Sequence, residues 1–326
     1  MGPKLNRMRV RALFQYDWSS EIYGLGKSYR EALKIPSFSP LTFFSDHGVN
    51  IDAPHIPEHM RKRNFLPKLL LTWNHRIYDD KKLQSEYWKK YHIKILFVEH
   101  PWILYRKRKS YEPKLDRQGT IFFPMHSVPG YSVSGFEDLD SIEFLKSLNK
   151  DYKPITVCLH MHDFGTHRKS HFADAGFKVI SIGDSSDYDY VDTFYLTIHQ
   201  FKFAISEGFG SQVAYLAEFG LPTQILPRKI NVSLLGENQL EESYHQVEAE
   251  IAGYFREDTF SARENQRRIA NILLGEKFGF NFRVKITIWL HFILIGITWI
   301  VFIRLPKLVF KVLRDLFHAR TPNPTK

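Results

Sequence analysis

Histidines follow five of the apolar, β-rich segments of the chain, close to the point where each segment ends. They are His47, His75, His100, His126 and His160. Because ligands of open α/β sheets bind beyond the carboxyl ends of the strands, we expect these side chains to gather at a sheet edge. An imidazole there can take a proton from a hydroxyl group or donate a hydrogen bond to a phosphate oxygen. Five such histidines in succession therefore predict a functional site at this edge of the sheet.

The last of these histidines has a second one beside it, because His162 lies two residues after His160 and is followed by Asp163. Side chains at i and i+2 of a strand share a face, so both imidazoles could reach one metal ion. No cysteine assists them, and the chain lacks the HExxH pattern of helical zinc sites. We therefore predict no metal site, and we expect both histidines to face the phosphates of a substrate.

A glycine-rich turn follows the apolar segment at 203–206. It contains Ser206, Glu207, Gly208, Gly210 and Ser211. Glycine lets a phosphate approach the backbone closely, and the helix that follows presents free N–H groups at its N-terminus. The turn lacks the lysine and the spacing of a P-loop, and no GxGxxG pattern follows the first strand. We expect phosphate binding here rather than a kinase or dehydrogenase site, with a plain tight turn capped by Ser211 as the alternative.

Short apolar runs alternate with helical patterns up to about residue 275, which predicts an α/β fold with parallel sheets. The predicted strands are Val10–Gln15, Leu41–Phe44, Lys68–Trp73, Lys94–Val98, Thr120–Phe123, Ile155–Leu159, Lys178–Ile182, Phe203–Ser206 and Thr223–Leu226. The stretch 128–135 is rich in Gly, Ser and Pro, as linkers are. We predict two Rossmann-like domains facing a cleft, at residues 1–130 and 136–275. A single doubly wound sheet is the alternative.

The C-terminal region carries a membrane signal. Ile286–Ile303 has eighteen residues without a Lys, Arg, Asp or Glu, a helix of about 27 Å against a hydrocarbon core of about 30 Å. The segment after Pro306 is amphipathic, with apolar residues on one face and basic residues on the other. We predict membrane-associated helices over residues 284–318, and leave open whether they span the bilayer or lie in it. A buried core helix is the alternative.

Composition limits the other classes of partner. The net charge is +10 and the chain has one cysteine, Cys158, which excludes an intrachain disulfide. The basic run Arg106–Lys109 has no spaced nucleic-acid-binding motif around it, so we expect no nucleic-acid partner. No apolar segment follows the basic residues Met1–Arg11, and this indicates that the body of the protein stays in the cytoplasm.

Four stretches resemble one family of enzymes. FFSDHG at 43–48, PMHS at 124–127, PITVCLHMHD at 154–163 and EGFGSQVAYLAEFGLP at 207–222 are similar to bacterial glycosyltransferases of the GT-B class that build capsule or lipopolysaccharide O-antigen. The resemblance covers about residues 10–230. In addition, His100-Pro101 resembles the His-Pro motif of transferases that use CMP-activated sugars, although here it lies in the N-terminal half.

The resemblance implies a metal-independent, inverting transfer of a sugar from a nucleotide sugar, without a cofactor, to a glycan or lipid-linked acceptor. It implies a general base at Asp46 or His47, with His126 in reserve. It also implies that the turn Ser206–Ser211, with His160 and His162, binds the donor. The enzyme would then work at the cytoplasmic face of a bacterial inner membrane, attached by its C-terminal helices.

Two other classes of function stay open at this point. One is an enzyme that modifies sugar nucleotides, such as an epimerase of the same fold, which would not need the hydrophobic C-terminal region. The other is a non-catalytic protein of polysaccharide assembly, in which the histidines would matter only for stability.

Overall fold

The computed structural model describes residues 15–46, 48–49, 60, 67–126, 131–134, 138–226, 231–234, 251, 253–255 and 263–320. The strands are β1 (Phe44–Ser45), β2 (Lys68–Thr72), β3 (Ile93–Phe97), β4 (Thr120–Phe123), β5 (Tyr131–Ser134), β6 (Ile155–Cys158), β7 (Lys178–Ile180), β8 (Phe203–Ser206), β9 (Thr223–Ile225) and β10 (Asn231–Leu234). The helices before residue 280 are α1 (Leu25–Leu33), α2 (His75–Asp79), α3 (Lys81–Tyr91), α4 (Pro101–Lys109), α5 (Asp138–Ser147), α6 (Met161–Phe164), α7 (His167–Asp174), α8 (Tyr190–Ile198), α9 (Ser211–Phe219) and α10 (Arg263–Leu273). The predicted α/β class is confirmed.

The first sheet is parallel and has the order β1-β2-β3. Its central strand β2 is buried along its whole length. A strand covered on both faces needs an apolar run rather than an alternating pattern, and Leu69–Leu71 supplies one. This sheet positions the loop after β1, which reaches the candidate site.

The second sheet is also parallel and has the order β7-β6-β4-β8-β9. Counted along the chain, its strands lie side by side in the order third, second, first, fourth, fifth, which is the order of a doubly wound Rossmann sheet. The direction of winding reverses between β4 and β8, which pair directly. Connections leave these two strands toward opposite faces of the sheet, so a crevice opens at their carboxyl ends.

The sheets divide the chain at a different place from the predicted boundary at 130. Thr120–Phe123, expected in the first domain, is the central strand of the second sheet. The expected linker at 128–135 contains β5, which pairs antiparallel with β10. An apolar run suits either sheet equally, so the sequence alone did not assign β4 to one of them. In β5, the high strand propensity of Tyr and Val outweighs the low propensity of the two serines. The change of sheet falls between β3 and β4.

A shared hydrophobic core joins the two sheets. It includes Leu71 of the first sheet, Ala204 of the second, and residues of α1, α4 and α9. After α10 the chain returns to the first sheet, where the Leu274 carbonyl accepts from His100 N–H at 2.9 Å. Gly275 makes this contact possible, because it has a φ of +68° and any Cβ there would lie 2.8 Å from Trp73 Cβ.

The chain then forms one long apolar helix, Phe282–Arg314, which is long and apolar enough to cross a membrane by length and composition. It begins as α11 (Phe282–His291) and ends as α13 (Leu305–Arg320), with a short α12 (Ile297–Trp299) between two π-helical turns. The predicted long C-terminal apolar helix is confirmed. The predicted strand Val10–Gln15 lies, except for Gln15, outside the described residues.

Candidate functional site

A cavity of about 410 Å³ lies at the carboxyl ends of β4 and β8, where the second sheet reverses its winding. Its volume is within the usual range for small-molecule sites, roughly 300–1,000 Å³. The loops after β4, β6, β7 and β8 contribute to its walls, together with Gly48 and Val49 from the first sheet. Of the residues predicted to act on a substrate, it brings together His126, His160, Ser206, Gly208, Gly210 and Ser211.

The loop after β4 is fixed from both sides. The Met125 N–H donates to Glu207 Oε2 at 2.8 Å, and the Met125 carbonyl accepts from Arg168 Nη1 at 2.6 Å. The Ser141 hydroxyl donates to the other oxygen of Glu207, which is buried. Glu207, predicted to bind the donor, therefore points into the protein and holds the loop that carries His126.

His126 and His160 stack on each other, with ring centroids 4.3 Å apart. His160 Nδ1 accepts from the His162 N–H at 3.4 Å, as the cap of α6. The proton of a neutral ring is therefore on Nε2. Burial, followed by the neighbouring His126 and His162, lowers the pKa of His160 to about 4. His160 is neutral at physiological pH.

The Nε2 atom of His160 is buried and has no hydrogen-bond partner among the residues that the structure describes. A buried donor without an acceptor costs about 1–3 kcal/mol, so such a group calls for an explanation. His160 itself lines the cavity, so its Nε2–H is a candidate donor to a ligand oxygen. His162, by contrast, is exposed, with its ring 4.7 Å from that of His160, and does not line the cavity.

The N-terminus of α9 forms another wall. No side chain caps this helix at Gly210, so its first N–H groups are open to a ligand. The Ser206 hydroxyl donates to the Gly208 carbonyl at 2.8 Å and stabilises the turn. Ser211 Oγ accepts from the Val49 N–H at 2.8 Å. The loop after β1 therefore closes over the start of α9.

Glycine is required at position 48 for this closure. A Cβ there would lie 2.6 Å from Ser211 Oγ. The contact places a segment of the first sheet directly beside the predicted phosphate-binding turn. The cavity therefore has walls from both parts of the chain, as the predicted cleft requires.

His100, which we compared with a His-Pro motif, is a structural residue. Its Nδ1 accepts from the Trp102 N–H at 3.1 Å, and its Nε2 lies 3.0 Å from the Tyr215 hydroxyl. With Nδ1 accepting, Nε2 carries the proton and donates to Tyr215. The side chain is fully buried, and burial lowers its pKa well below the usual value. Pro101 occupies the first turn of α4, where its missing N–H costs nothing.

One wall of the cavity is aromatic, and the sequence analysis did not single it out. Trp102 and Tyr215 lie with their rings 4.5 Å apart, and the Trp102 indole donates to the Tyr23 carbonyl at 3.0 Å. Tyr190 and Phe194 of α8 complete the wall. The i, i+4 spacing of the last two was a usable signal, because it places both rings on one helix face.

The predicted base Asp46 lies outside the cavity lining. Its carboxylate accepts from the Thr72 hydroxyl, and burial raises its pKa to about 6. His47 lies outside the described residues. Cys158 does line the cavity, but burial raises the pKa of its thiol to about 12, so it is a protonated, weak nucleophile. Among the described residues there is no group of three or more His, Cys, Asp or Glu that could hold a metal ion.

No family model matches the sequence, and no curated protein matches it significantly. Among solved structures, the chain is similar to the wall teichoic acid polymerase TagF. The TM-score is 0.35 at 11% identity, over 75% of this chain and 70% of that one. We base no functional conclusion on a likeness of this size.

Proposed function

We propose that the chain is a glycosyltransferase that binds a nucleotide sugar in the cavity between β4 and β8. The observation that carries the proposal is His160, which lines a cavity at the switch point of a Rossmann-ordered sheet and whose buried Nε2–H has no partner among the described residues. A neutral imidazole donor and an uncapped helix N-terminus together suit a phosphate group. The aromatic wall around Trp102 and Tyr215 suits the flat face of a base or a sugar ring.

Of the three predicted bases, we now favour His126, because it lines the cavity and Asp46 does not. In the proposed reaction, His126 takes the proton of the acceptor hydroxyl while that oxygen attacks the anomeric carbon. The bond from that carbon to the phosphate oxygen breaks, and the nucleotide leaves with the electron pair. The His160 N–H and the first turn of α9 would stabilise the charge that develops on the leaving phosphate. Inversion at the anomeric carbon follows from a single displacement.

The acceptor we propose is a glycan or a lipid-linked glycan presented at a membrane. The long apolar helix Phe282–Arg314 supports this part, since it is compatible with membrane association. The earlier expectation of attachment at the cytoplasmic face of a bacterial inner membrane remains a part of this proposal.

The test is a transfer assay with the full-length protein, labelled nucleotide sugars and acceptor lipids extracted from bacterial membranes. We expect release of nucleotide that depends on the acceptor, and a product of inverted anomeric configuration. Interconversion of free nucleotide sugars without any acceptor would instead identify a sugar-nucleotide-modifying enzyme. Binding of nucleotide with neither reaction would favour the non-catalytic class.

A further inference from the structure

We propose that the C-terminal helix lies flat in the surface of an anionic lipid bilayer, and that the body of the protein stays packed on its inner side. The inference is independent of the catalytic proposal. It concerns the helix face that the described part of the chain leaves exposed, and the contacts that hold the opposite face.

The inner face of the helix is bound to the body along several turns. Val284 and Ile288 belong to the main hydrophobic core. Farther along, a Cβ at Gly296 would lie 2.8 Å from Thr42 Cγ2, and the Trp299 ring lies 5.2 Å from that of Tyr16. These contacts join the helix to Thr42, just before β1, and to Tyr16, whose ring packs on Phe44 of β1.

The packed stretch is too long for the same helix to span a bilayer. From residue 284 to 303, where Ile303 still packs on the body, the helix rises about 30 Å, which is the whole thickness of a hydrocarbon core. A spanning orientation would therefore carry the attached body into the bilayer. That body includes exposed Lys94, whose charge acts on His291 of the helix. Charged side chains and loop backbone are not tolerated in contact with lipid tails.

The outer face of the helix is apolar, and none of the described residues covers it. Leu294 is 67% exposed, Phe302 74% and Val309 57%. The row of exposed apolar side chains continues along the helix from Ile286 to Leu313. Contiguous apolar surface of this extent marks an interaction site.

The charge of the helix points to anionic lipid as the occupant. Between residues 282 and 314 there are six Lys and Arg residues and no Asp or Glu. Arg283 and Lys285 lie at one end of the apolar stretch, and Lys307, Lys311 and Arg314 lie near the other. A helix in the interface buries its apolar face about 5–10 Å deep and keeps its cations at the level of the headgroups. In this orientation both ends of the helix meet the same leaflet.

The decisive experiment locks the helix to the body. Because a Cβ at residue 296 would lie 2.8 Å from Thr42 Cγ2, the double variant Thr42→Cys/Gly296→Cys places two thiols beside each other for a disulfide. The native Cys158 is buried and does not compete. We expect the oxidised full-length protein to bind vesicles of phosphatidylcholine and phosphatidylglycerol as well as the reduced protein does. Loss of binding on oxidation, restored by reduction, would mean that the helix leaves the body to insert, and would overturn the proposal.

Depth measurements give a second test that does not depend on the disulfide. A fluorophore on Ile286→Cys, Leu294→Cys or Phe302→Cys should be quenched to the same shallow depth by brominated lipids. A Leu294 position deeper than the other two would contradict the flat orientation and indicate a span. A protein that forms a dimer and ignores the vesicles would place a second copy on this face instead, and would likewise refute the proposal.

A charge test identifies the lipid. The double variant Lys307→Gln/Lys311→Gln removes two positive charges from the helix. It should bind phosphatidylglycerol vesicles about 30-fold more weakly, because each lysine near an anionic surface contributes about 1 kcal/mol. The matched control Lys146→Gln/Lys150→Gln makes the same change of charge beside the second sheet and should leave binding unchanged. Equal losses in both variants would mean that overall charge, and not this helix, attracts the membrane.

Discussion

Two junctions of this protein are built alike and differ in one hydrogen bond. After β3, His100 caps α4, and after β6, His160 caps α6. In each the Nδ1 atom accepts from the N–H two residues on. In each an aromatic ring also lies against the imidazole: Trp73 meets His100 edge to face, and His126 stacks on His160.

The difference lies at Nε2. His100 donates to the Tyr215 hydroxyl at 3.0 Å, whereas the buried Nε2 of His160 has no partner among the described residues. The first junction is complete without a ligand, and the second is not. A strand-end histidine is therefore informative about function only once the partner of its second nitrogen is known.

The largest expected effect concerns the ring that stacks on His160. His126→Ala should lower turnover by about 10² to 10⁴, as loss of a general base does, with little change in nucleotide affinity. Steady-state rates and a nucleotide binding isotherm on the same preparation measure both quantities. Asp46→Asn is the matched test of a second predicted base. If it slows the reaction more than His126→Ala does, the base lies at the first sheet after all.

The two capping histidines should separate stability from binding. His100→Ala removes a helix cap, worth about 1 kcal/mol, and leaves the Tyr215 hydroxyl without its donor, at about 1–3 kcal/mol. We expect the free energy of unfolding to fall by about 2–4 kcal/mol in urea titrations. His160→Ala removes a helix cap, which lowers stability, and also removes an unsatisfied buried donor, which raises it. The free energy of unfolding should therefore fall by less than about 1 kcal/mol. Equal losses of stability would mean that His100 and His160 have the same structural role, and would contradict the comparison.

The pH dependence of stability should change when His160 is replaced. Its pKa is lowered in the folded state to about 4, so the unfolded chain binds more protons below its own pKa of about 6.5. Stability contributed by this group is therefore full above pH 6.5 and is lost as the pH falls toward 4. At pH 5 we expect His160→Gln to be spared part of the loss of stability that the native chain suffers relative to pH 7.

The raised pKa of Asp46 works in the opposite direction, because its folded state binds the proton more tightly. For this reason the native profile alone is not diagnostic, and the measurement is the difference between native and His160→Gln unfolding curves at the two pH values. If the native protein and His160→Gln lost the same free energy of unfolding between pH 7 and pH 5, His160 would not be desolvated in the folded protein.

The turn before α9 should respond more modestly. Gly210→Val places methyl groups beside the uncapped helix N-terminus and should weaken nucleotide binding by about 1–3 kcal/mol, the worth of one or two charge-assisted hydrogen bonds. A Cβ there meets the Gln212 side chain, which is flexible, so folding should survive. Gly253→Val, at a glycine with open space around it, is the control. An unchanged dissociation constant for Gly210→Val would move the phosphates to another part of the cavity.

Strand position was predictable from sequence, and strand partners were not. Thr120–Phe123 and Phe203–Ser206 have the predicted bounds, because buried parallel strands are short apolar runs. Which sheet each run joins depends on contacts between distant segments. The placement of β4 at the centre of the second sheet therefore required the structure.

The same limit applies to the site. The histidines, the glycine turn and the tight approach of Gly48 to Ser211 all derive from residues visible in the sequence, but their grouping does not. Glu207 shows why: a carboxylate in a phosphate-binding turn looked like a ligand group, yet both of its oxygens hold neighbouring segments in place. Only the packing decides which polar side chains face the cavity and which brace it.

The most direct measurement is the thermal shift of the full-length protein with CMP, UDP, GDP and CDP, repeated with His160→Ala. We expect at least one nucleotide to raise the melting temperature of the native protein, and the shift to shrink strongly in His160→Ala, because the ligand phosphate would supply the missing acceptor for Nε2. A full shift in His160→Ala, or no shift of the native protein with any of the four, would contradict the assignment of this cavity as a nucleotide-sugar site.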